Sequence, residues 1–196
     1  MHPYGTDSSE RRNIPFVLAL VGIGAAWGLD LLLGWAKLTI PWWVDAPSAL
    51  GFYGICYEVF DKWVWRLPIL HRLGIVKVPI LCGTWRGHVV SSFDRHAAKQ
   101  EVEARISQSW TRLAVALAGK DSTSHSLVAT ILTEASDGSV LDYQYINEPL
   151  PHARETMQIH YGSARLTFSD MTILSGEYYS GRGRQNIGSI YLEKVG

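Results

Sequence analysis

The sequence predicts a membrane-spanning α-hairpin followed by an all-β domain that closes as a small up-and-down barrel of about eight strands. Three observations support this fold class. An apolar run near the N-terminus, residues 14–35, is long enough to cross a bilayer, and a second, shorter apolar run follows it after a short turn. From residue 79 onward, short segments of β-type residues separated by polar turns replace the helix-length apolar runs.

The first apolar run, residues 14–35, has one ionisable side chain, Asp30. A helix rises about 1.5 Å per residue, so about 20 apolar residues cross the roughly 30 Å hydrocarbon layer. A buried helix of a soluble domain is the alternative, but such helices are seldom apolar on every face over this length. Residues 1–13 are polar, and we expect them to form a mobile cytoplasmic tail.

Small residues and one carboxylate within this run suggest contacts between membrane helices. Gly24 and Gly28 have the four-residue spacing that lets two helices approach closely, although the same pattern also arises simply from small residues in a membrane helix. Asp30 would cost about 2.5–3.5 kcal/mol at the centre of a spanning helix. Its role is either a polar contact between protomers or a disturbance of the bilayer; the alternative is an ordinary interfacial carboxylate.

Residues 36–47 are predicted to form a periplasmic turn, and residues 48–65 a second spanning helix whose start lies near Trp42 and Trp43. Tryptophans favour the membrane interface, and six of the eight tryptophans fall in the first third of the chain. A basic linker, residues 66–78, follows the second helix.

Basic residues set the predicted orientation of the hairpin. Arg11 and Arg12 precede the first run, whereas the turn holds only Lys37. Four further basic residues follow the second run: Lys62, Arg66, Arg72 and Lys77. Because basic residues mark the cytoplasmic side, we expect two membrane spans with both chain termini in the cytoplasm.

Residues 79–196 are predicted to form the barrel, with a helical alternative only for residues 96–104. An Asp-Gly hairpin turn is expected at residues 136–139. The predicted strands are 83–91, 101–107, 110–117, 125–134, 140–147, 155–161, 164–169, 172–179 and 188–195. Consecutive strands without long connections indicate an up-and-down barrel, and eight strands enclose room for one small ligand.

Alternation along the strands groups the side chains by face but does not say which face points inward, because a one-residue shift inverts the assignment. Two sets each share one face: Thr172, Leu174, Gly176, Tyr178 and Ser180 in one strand, and Gly188, Ile190, Leu192 and Lys194 in the last.

No catalytic or metal-binding motif is recognisable, so we expect no enzymatic activity and no metal site. The seven histidines are scattered, and Cys56 and Cys82 form no CxxC-type pair. The formal net charge of zero gives no overall bias toward a DNA or RNA polymer.

The segment 176–188 has the chemistry of a nucleotide site. Arg182 and Arg184 alternate with glycines, Tyr178 precedes them and Asn186 follows. Guanidinium groups match phosphate oxygens, aromatic faces stack on bases, and glycines let backbone amides approach an anion. The alternative is a solvated hairpin loop.

Secondary candidates for ligand binding are two arginines close to tryptophans, together with one of those tryptophans, Trp110. Arg86 follows Trp85, and Arg112 lies two residues after Trp110. The alternative is that each arginine simply packs on an indole at the rim of the barrel.

The arrangement resembles the two-transmembrane, β-strand-rich effectors of bacterial CBASS antiphage systems. The resemblance rests on the membrane hairpin, the basic linker and the motifs GTWRG at residues 83–87, LSGEY at 174–178 with Arg182 after it, and GSIYL at 188–192. The Gly-x-Trp opening also recurs in lipocalin-like barrels, where the tryptophan plugs one end, so Trp85 has a structural interpretation too.

The resemblance implies that the barrel is a cyclic dinucleotide receptor without a cofactor or catalytic residues. After infection, the bound messenger would drive homo-oligomerisation, and the hairpins would disrupt the inner membrane, causing cell death or growth arrest. Two other functions compete: a membrane-anchored lipocalin-like binder of a lipid or other apolar ligand, and an enzyme that damages lipid. The polarity of the barrel interior distinguishes a nucleotide from a lipid.

Overall fold

The computed structural model describes residues 1–37, 42–135, 138–181 and 185–195, without the side chains of residues 42–48. The chain forms two compact units. One is helical and comprises Ser9–Lys77; the other is a barrel built from Met1–Ser8 and Val78–Gly196.

The helical unit contains α1 (Glu10–Trp35), α2 (Trp42–Lys62), a 3₁₀ turn (Val64–Arg66) and the short α3 (Pro68–Arg72). Among the described residues, α1 is the one helix long and apolar enough to cross a membrane, with 26 residues and a mean hydropathy of 2.1. Its apolar side chains are largely exposed, including Phe16 and Leu32. A helix at the core of a soluble domain would bury them, so α1 is suited to lipid.

The contact face between α1 and α2 differs from the predicted Gly24–Gly28 pair. Gly22 is buried, and a Cβ there would lie 2.9 Å from the backbone nitrogen of Tyr53 in α2. Apart from the adjacent residues and the nearby backbone of α1 itself, no atom lies within 4 Å of the Cβ position at Gly24 or Gly28. The hairpin therefore packs on the neighbouring small residues, and a role for Gly24 and Gly28 between protomers stays a prediction.

Within the described residues the barrel contains nine strands, and its closure confirms the predicted fold class. The strands are β1 (His2–Thr6), β2 (Gly83–Ser91), β3 (Gln100–Gln108), β4 (Arg112–Ala118), β5 (Ser122–Leu132), β6 (Ser139–Pro149), β7 (His160–Phe168), β8 (Ile173–Ser180) and β9 (Ile187–Lys194). Each strand from β2 to β9 pairs antiparallel with the next, and β9 pairs with β2. This is an eight-stranded up-and-down barrel with β1 added.

Strand β1 overturns the prediction of a mobile N-terminal tail for residues 2–6. It fits between β4 and β5 where they separate, antiparallel to β4 and parallel to β5. The Tyr4 hydroxyl donates to the Trp110 carbonyl over 2.8 Å, and the Asp7 carboxylate accepts the backbone N–H groups of Thr133 and Glu134 over 2.8 and 2.9 Å. These bonds explain why so short a polar segment is ordered.

Two further details differ from the sequence-based prediction. The segments 155–161 and 164–169 were predicted as separate strands but contribute to one strand, β7. Gly162 lies within this strand, where the Tyr145 ring and the Tyr179 carbonyl occupy the space that a Cβ would need. Residues 96–104 are not helical: Arg95 and His96 have positive φ, and β3 starts at Gln100. The expected turn at residues 136–139 lies partly outside the described residues.

One end of the barrel is closed by tightly packed side chains around Trp85, which is fully buried. Its indole N–H donates to the Leu81 carbonyl over 3.0 Å. The Gln108 side chain accepts from the Leu81 N–H and donates to the Pro79 carbonyl, and the Lys194 ammonium lies 5.4 Å from the Trp85 ring. Trp85 thus has the plugging position known from lipocalin-like barrels.

Candidate ligand-binding cavity

The opposite end of the barrel, the mouth, contains a cavity of about 320 Å³. Strands β2–β9 run between the two ends. Their connections at residues 92–99, 119–121 and 150–159, and the described residues 181, 185 and 186 of the β8–β9 connection, surround the mouth. Phe93, Lys120, His152 and Asn186 from these connections line the cavity. The volume lies in the range typical of small-molecule sites.

Three tyrosines form an aromatic wall of the cavity: Tyr143 and Tyr145 from β6 and Tyr178 from β8. The rings of Tyr143 and Tyr145 are 6.1 Å apart. Burial raises the pKa of both phenols well above the usual range, and for Tyr145 the nearby Tyr143 and Tyr178 add to that increase. The phenols are therefore neutral at physiological pH and can donate hydrogen bonds.

Glycines on neighbouring strands make room for two of these rings. Tyr145 pairs in register with Gly162, and Tyr178 pairs with Gly188. A Cβ at Gly162 would lie 2.3 Å from the Tyr145 ring, and one at Gly188 would lie 2.5 Å from the Tyr178 ring. Any other residue would displace the rings, so each glycine allows a tyrosine to lie along the barrel wall.

A row of polar side chains crosses three strands beside this wall. Ser124, Asn147 and His160 are consecutive register partners on β5, β6 and β7, and all three line the cavity. The buried Asn147 amide donates to the Met157 sulfur over 3.5 Å. Because sulfur is a weak acceptor, this amide can exchange that contact for a ligand. Side-chain amides read the donor and acceptor groups of nucleobases.

The connections at the two ends of the barrel carry opposite net charge. By sequence, the four connections at the mouth contain six Lys or Arg and three Asp or Glu. The segments at the closed end (residues 7–8, 78–82, 109–111, 133–138 and 169–172) contain four Asp or Glu and no Lys or Arg. The mouth thus attracts anions. One of its acids, Asp121, lies 3.2 Å from the His152 ring.

The interior is polar and aromatic near the mouth, with fewer aliphatic side chains. Tyrosine, serine and asparagine side chains alternate there with Val89, Val102, Leu117 and Ile190. A lipid-binding barrel would be lined mainly by aliphatic residues, so this lining favours a ligand with aromatic rings and hydrogen-bonding groups. Within the described part of the chain, no group of three His, Cys, Asp or Glu is placed to hold a metal ion.

Two of the ligand-binding residues predicted from sequence, Tyr178 and Asn186, line the cavity. Arg182 and Arg184 lie outside the described residues. The residues that flank them are joined across the base of the hairpin, where the Asn186 N–H donates to the Ser180 hydroxyl over 3.2 Å, and both residues line the cavity.

The other three candidates lie elsewhere, and we withdraw them from the cavity. Arg86 is on the outer wall and forms an ion pair with Glu103 at 3.0 Å. Arg112 is exposed at the closed-end start of β4, where it pairs in register with Pro3. Trp110 is 1% exposed and belongs to the closed-end core. An arginine near a tryptophan is not a sufficient signal: adjacent strand residues such as Trp85 and Arg86 point to opposite faces, and Trp110 lies before β4, which starts at Arg112.

Sequence reasoning missed Tyr143, Tyr145 and Asn147 as candidates. These residues share one face of β6 with Leu141, and all four are buried. The alternation itself was visible, but only the structure shows that this face points into the barrel. Two aromatic residues and an amide on one face of a predicted strand were the available signal.

Comparison with known proteins agrees with this geometry. Residues 76–194 match the family model described as "Cap15, cyclic dinucleotide receptor domain", and residues 12–66 match the one described as "Cap15, TM helices". The chain is also similar to "CD-NTase-associated protein 15" of Yersinia aleksiciae, with 32% identity over 154 residues. That alignment covers 76% of this chain and 70% of the relative.

Proposed function

Since this chain belongs to the Cap15 family, which joins a cyclic dinucleotide receptor domain to transmembrane helices, we propose that the mouth cavity of its barrel binds the cyclic dinucleotide. The family makes the chain a membrane-associated CBASS effector that senses such a nucleotide. The observation that carries the proposal is the pair of tyrosine rings, Tyr145 and Tyr178, each laid along the wall by a facing glycine.

The chemistry of the cavity matches the two parts of the ligand. The bases stack on Tyr145 and Tyr178, and the Asn147 amide reads one base edge. The two phosphates face the basic mouth, where Lys120 lines the cavity and Arg182 and Arg184 supply guanidinium groups. These are binding roles, and we assign no reaction to any of the residues.

We further propose that α1 and α2 both span the bacterial inner membrane, with both chain termini in the cytoplasm. Strand β1 precedes α1, the other strands follow α2, and all belong to one barrel. A chain that starts and finishes in the same barrel must cross the bilayer an even number of times. Because α1 is suited to cross, α2 is the segment available for the return, although it carries Glu58 and Asp61.

Ligand binding is proposed to drive homo-oligomerisation, after which the hairpins disrupt the membrane and kill or arrest the infected cell. A ligand drives assembly only if it binds the assembled state better than the monomer. Support for a contact between hairpins comes from Gly24 and Gly28, whose faces are open in the hairpin, and from Asp30, whose side chain is exposed on the same helix.

Titration of the full-length protein in detergent micelles with cyclic di-AMP, cyclic di-GMP and cyclic UMP–AMP tests this function. We expect saturable one-site binding of at least one probe and an increase in particle mass on binding. The whole chain is needed because residues 78–196 alone lack β1. Absence of binding to every cyclic dinucleotide would refute the cavity assignment.

A separate experiment tests the hairpin. We expect Asp30→Leu to preserve ligand binding but to reduce the growth arrest that follows messenger production in cells. Unchanged growth arrest at equal protein level would remove Asp30 from the mechanism.

A further inference from the structure

The outer wall of the barrel carries an exposed apolar ridge beside the mouth, made by Tyr161, Tyr179 and Ile187. Each is about 60% exposed. The three are neighbours across β7, β8 and β9: Tyr179 pairs in register with Ile187, and the Tyr161 carbonyl accepts the N–H of Gly181 over 2.7 Å. Large apolar side chains grouped in this way on a soluble surface mark an interaction site.

The opposite wall carries a hollow of about 190 Å³ over β4. Its floor is made by Ala116 and Ala118, and its sides are formed by β3 and β5. The side residues are Glu103, Arg105, Thr123 and His125. In the closed order from β2 to β9, β4 and β8 are four strands apart in both directions, so the ridge and the hollow are on opposite sides of the barrel.

The ridge and the hollow lie at the same level of the barrel. Tyr179 is flanked by Tyr178 and Ser180, which point into the cavity, while Ala116 and Ala118 flank Leu117, which also lines it. Both surfaces are therefore the outer side of the cavity wall. A ligand that orders this wall orders both surfaces together.

The two connections from the barrel to the helical unit leave from the closed end, after Asp7 on one side and before Val78 on the other. When two barrels lie side by side in parallel, the ridge of one copy faces the hollow of the next at the same level.

We infer that a second copy of this chain occupies the hollow, with the Tyr179 ridge of one barrel seated over Ala116 and Ala118 of its neighbour. This inference rests on the assembly step of the proposed function and specifies its interface. The alanines leave space for an aromatic ring, and Arg105 offers a guanidinium group to the ring face, since Glu103 is engaged by Arg86. Contact between different surfaces on opposite walls is heterologous, so it builds rows or rings rather than closed dimers.

Complementation between two variants tests the interface. The ridge variant carries Tyr179→Glu and Ile187→Glu, and the hollow variant carries Ala118→Trp. In full-length protein saturated with the cyclic dinucleotide that binds, each variant should still bind the ligand, with the affinity of the unassembled protein, but should self-associate about 30-fold more weakly, as expected for loss of a central aromatic anchor. Mixed together, they should form a dimer and nothing larger, because one intact ridge meets one intact hollow.

Gln144→Glu and Gln144→Trp, at an exposed outer position of β6, are the matched controls and should assemble like the wild type. Normal self-association of either test variant, or failure of the mixture to form a dimer, would overturn the interface. A ridge variant that assembles normally but loses affinity for phospholipid vesicles would show that the ridge contacts lipid instead.

Crosslinking separates this inference from the proposed function because a covalent crosslinker traps the minority of copies that associate in the membrane before any ligand binds. The two native cysteines are first replaced in the full-length protein (Cys56→Ser and Cys82→Ser). Two single-cysteine proteins are then made in this background, one with Tyr179→Cys and one with Ala118→Cys. They are coexpressed in membranes and treated with a short bis-maleimide. We expect crosslinks between the two proteins and none within either protein alone. Crosslinks among Tyr179→Cys copies would instead indicate a symmetric interface. If the wild-type protein binds a cyclic dinucleotide in the titration but does not associate, the assembly step is refuted. If the crosslinks form but no cyclic dinucleotide binds, only the cavity assignment is refuted.

Discussion

The closed end and the mouth of the barrel are built by the same strands but packed in opposite ways. Along β7, the inward residues change from Phe168 and Leu166 at the closed end to Ala164, Gly162 and then His160 at the mouth. In β5 the inward residues change from Ile131 and Ala129 to Ser124 and Ser122 at the mouth, and in β3 the apolar run of Ile106, Ala104 and Val102 gives way to Gln100. Along these three strands, apolar side chains thus give way to polar ones toward the mouth.

The two ends also differ in the charge of the connections that surround them. Acidic connections surround the end that is filled, and mainly basic connections surround the end that is open. A receptor for a dianionic ligand gains both affinity and orientation from this arrangement, because the field draws the phosphates to the mouth and away from the closed end. The closed end thus stabilises the fold and the mouth binds the ligand, so substitutions at one end should change stability and substitutions at the other should change affinity.

The largest expected effect is on stability at the closed end. Trp85→Ala removes a fully buried indole and leaves a void, so we expect a loss of about 3–5 kcal/mol in the free energy of unfolding. Thermal unfolding of the full-length protein measures it, with Tyr191→Ala on the outer wall as the control. A loss below about 1 kcal/mol, within the ordinary range for a surface change, would contradict the plugging role.

The next effect is on ligand affinity at the mouth. Tyr178→Ala removes one stacking face, worth about 1–3 kcal/mol, so we expect binding to weaken by roughly 5- to 150-fold with little change in stability. Tyr178→Phe should keep most of the affinity, because the ring is retained. Calorimetric titration decides the matter: wild-type affinity in Tyr178→Ala would exclude this ring from the site.

Charge substitutions at the two ends provide a smaller and salt-dependent effect. We expect Arg182→Ala and Arg184→Ala each to weaken binding by about fivefold at low salt, since partly solvated ionic contacts contribute about 1 kcal/mol. Glu134→Gln and Asp170→Asn at the closed end should change affinity by less than about twofold. Equal effects at both ends, or tight binding by both arginine variants, would remove the assignment of phosphates to the mouth.

The smallest effect concerns pH and the attachment of β1. Burial of the Asp7 carboxyl group opposes its ionisation, but hydrogen bonds from Thr133 and Glu134 outweigh it and lower the Asp7 pKa below its usual value of 3.8. A lowered pKa in the folded state means that the charged form stabilises the fold above pH 3.8. This contribution is lost as the pH falls through the lower, folded-state value.

The Tm difference between wild type and Asp7→Asn measures that contribution, and it should shrink from pH 6 toward about pH 3. A Tm difference that stays constant over this range would show that the Asp7 charge does not hold β1.

Much of this architecture could be read from local sequence patterns. The apolar runs located α1 and α2, and β2 has the predicted limits. Strand β1 could not be found because five residues that include Pro3 and Gly5 carry no periodicity, and the strand is defined by partners more than 100 residues away. Alternation identified the shared face of Tyr178 and Ser180, but the closure of the barrel decides that this face is internal.

The central claim is that the mouth cavity, and not the outer wall or the closed end, receives the cyclic dinucleotide. An experimental structure of the full-length protein with its bound messenger tests this most directly. We expect a base against Tyr145 or Tyr178 and the phosphates facing the connections at residues 119–121 and 181–186. A nucleotide bound elsewhere, with all three cavity tyrosines uncontacted, would contradict the account.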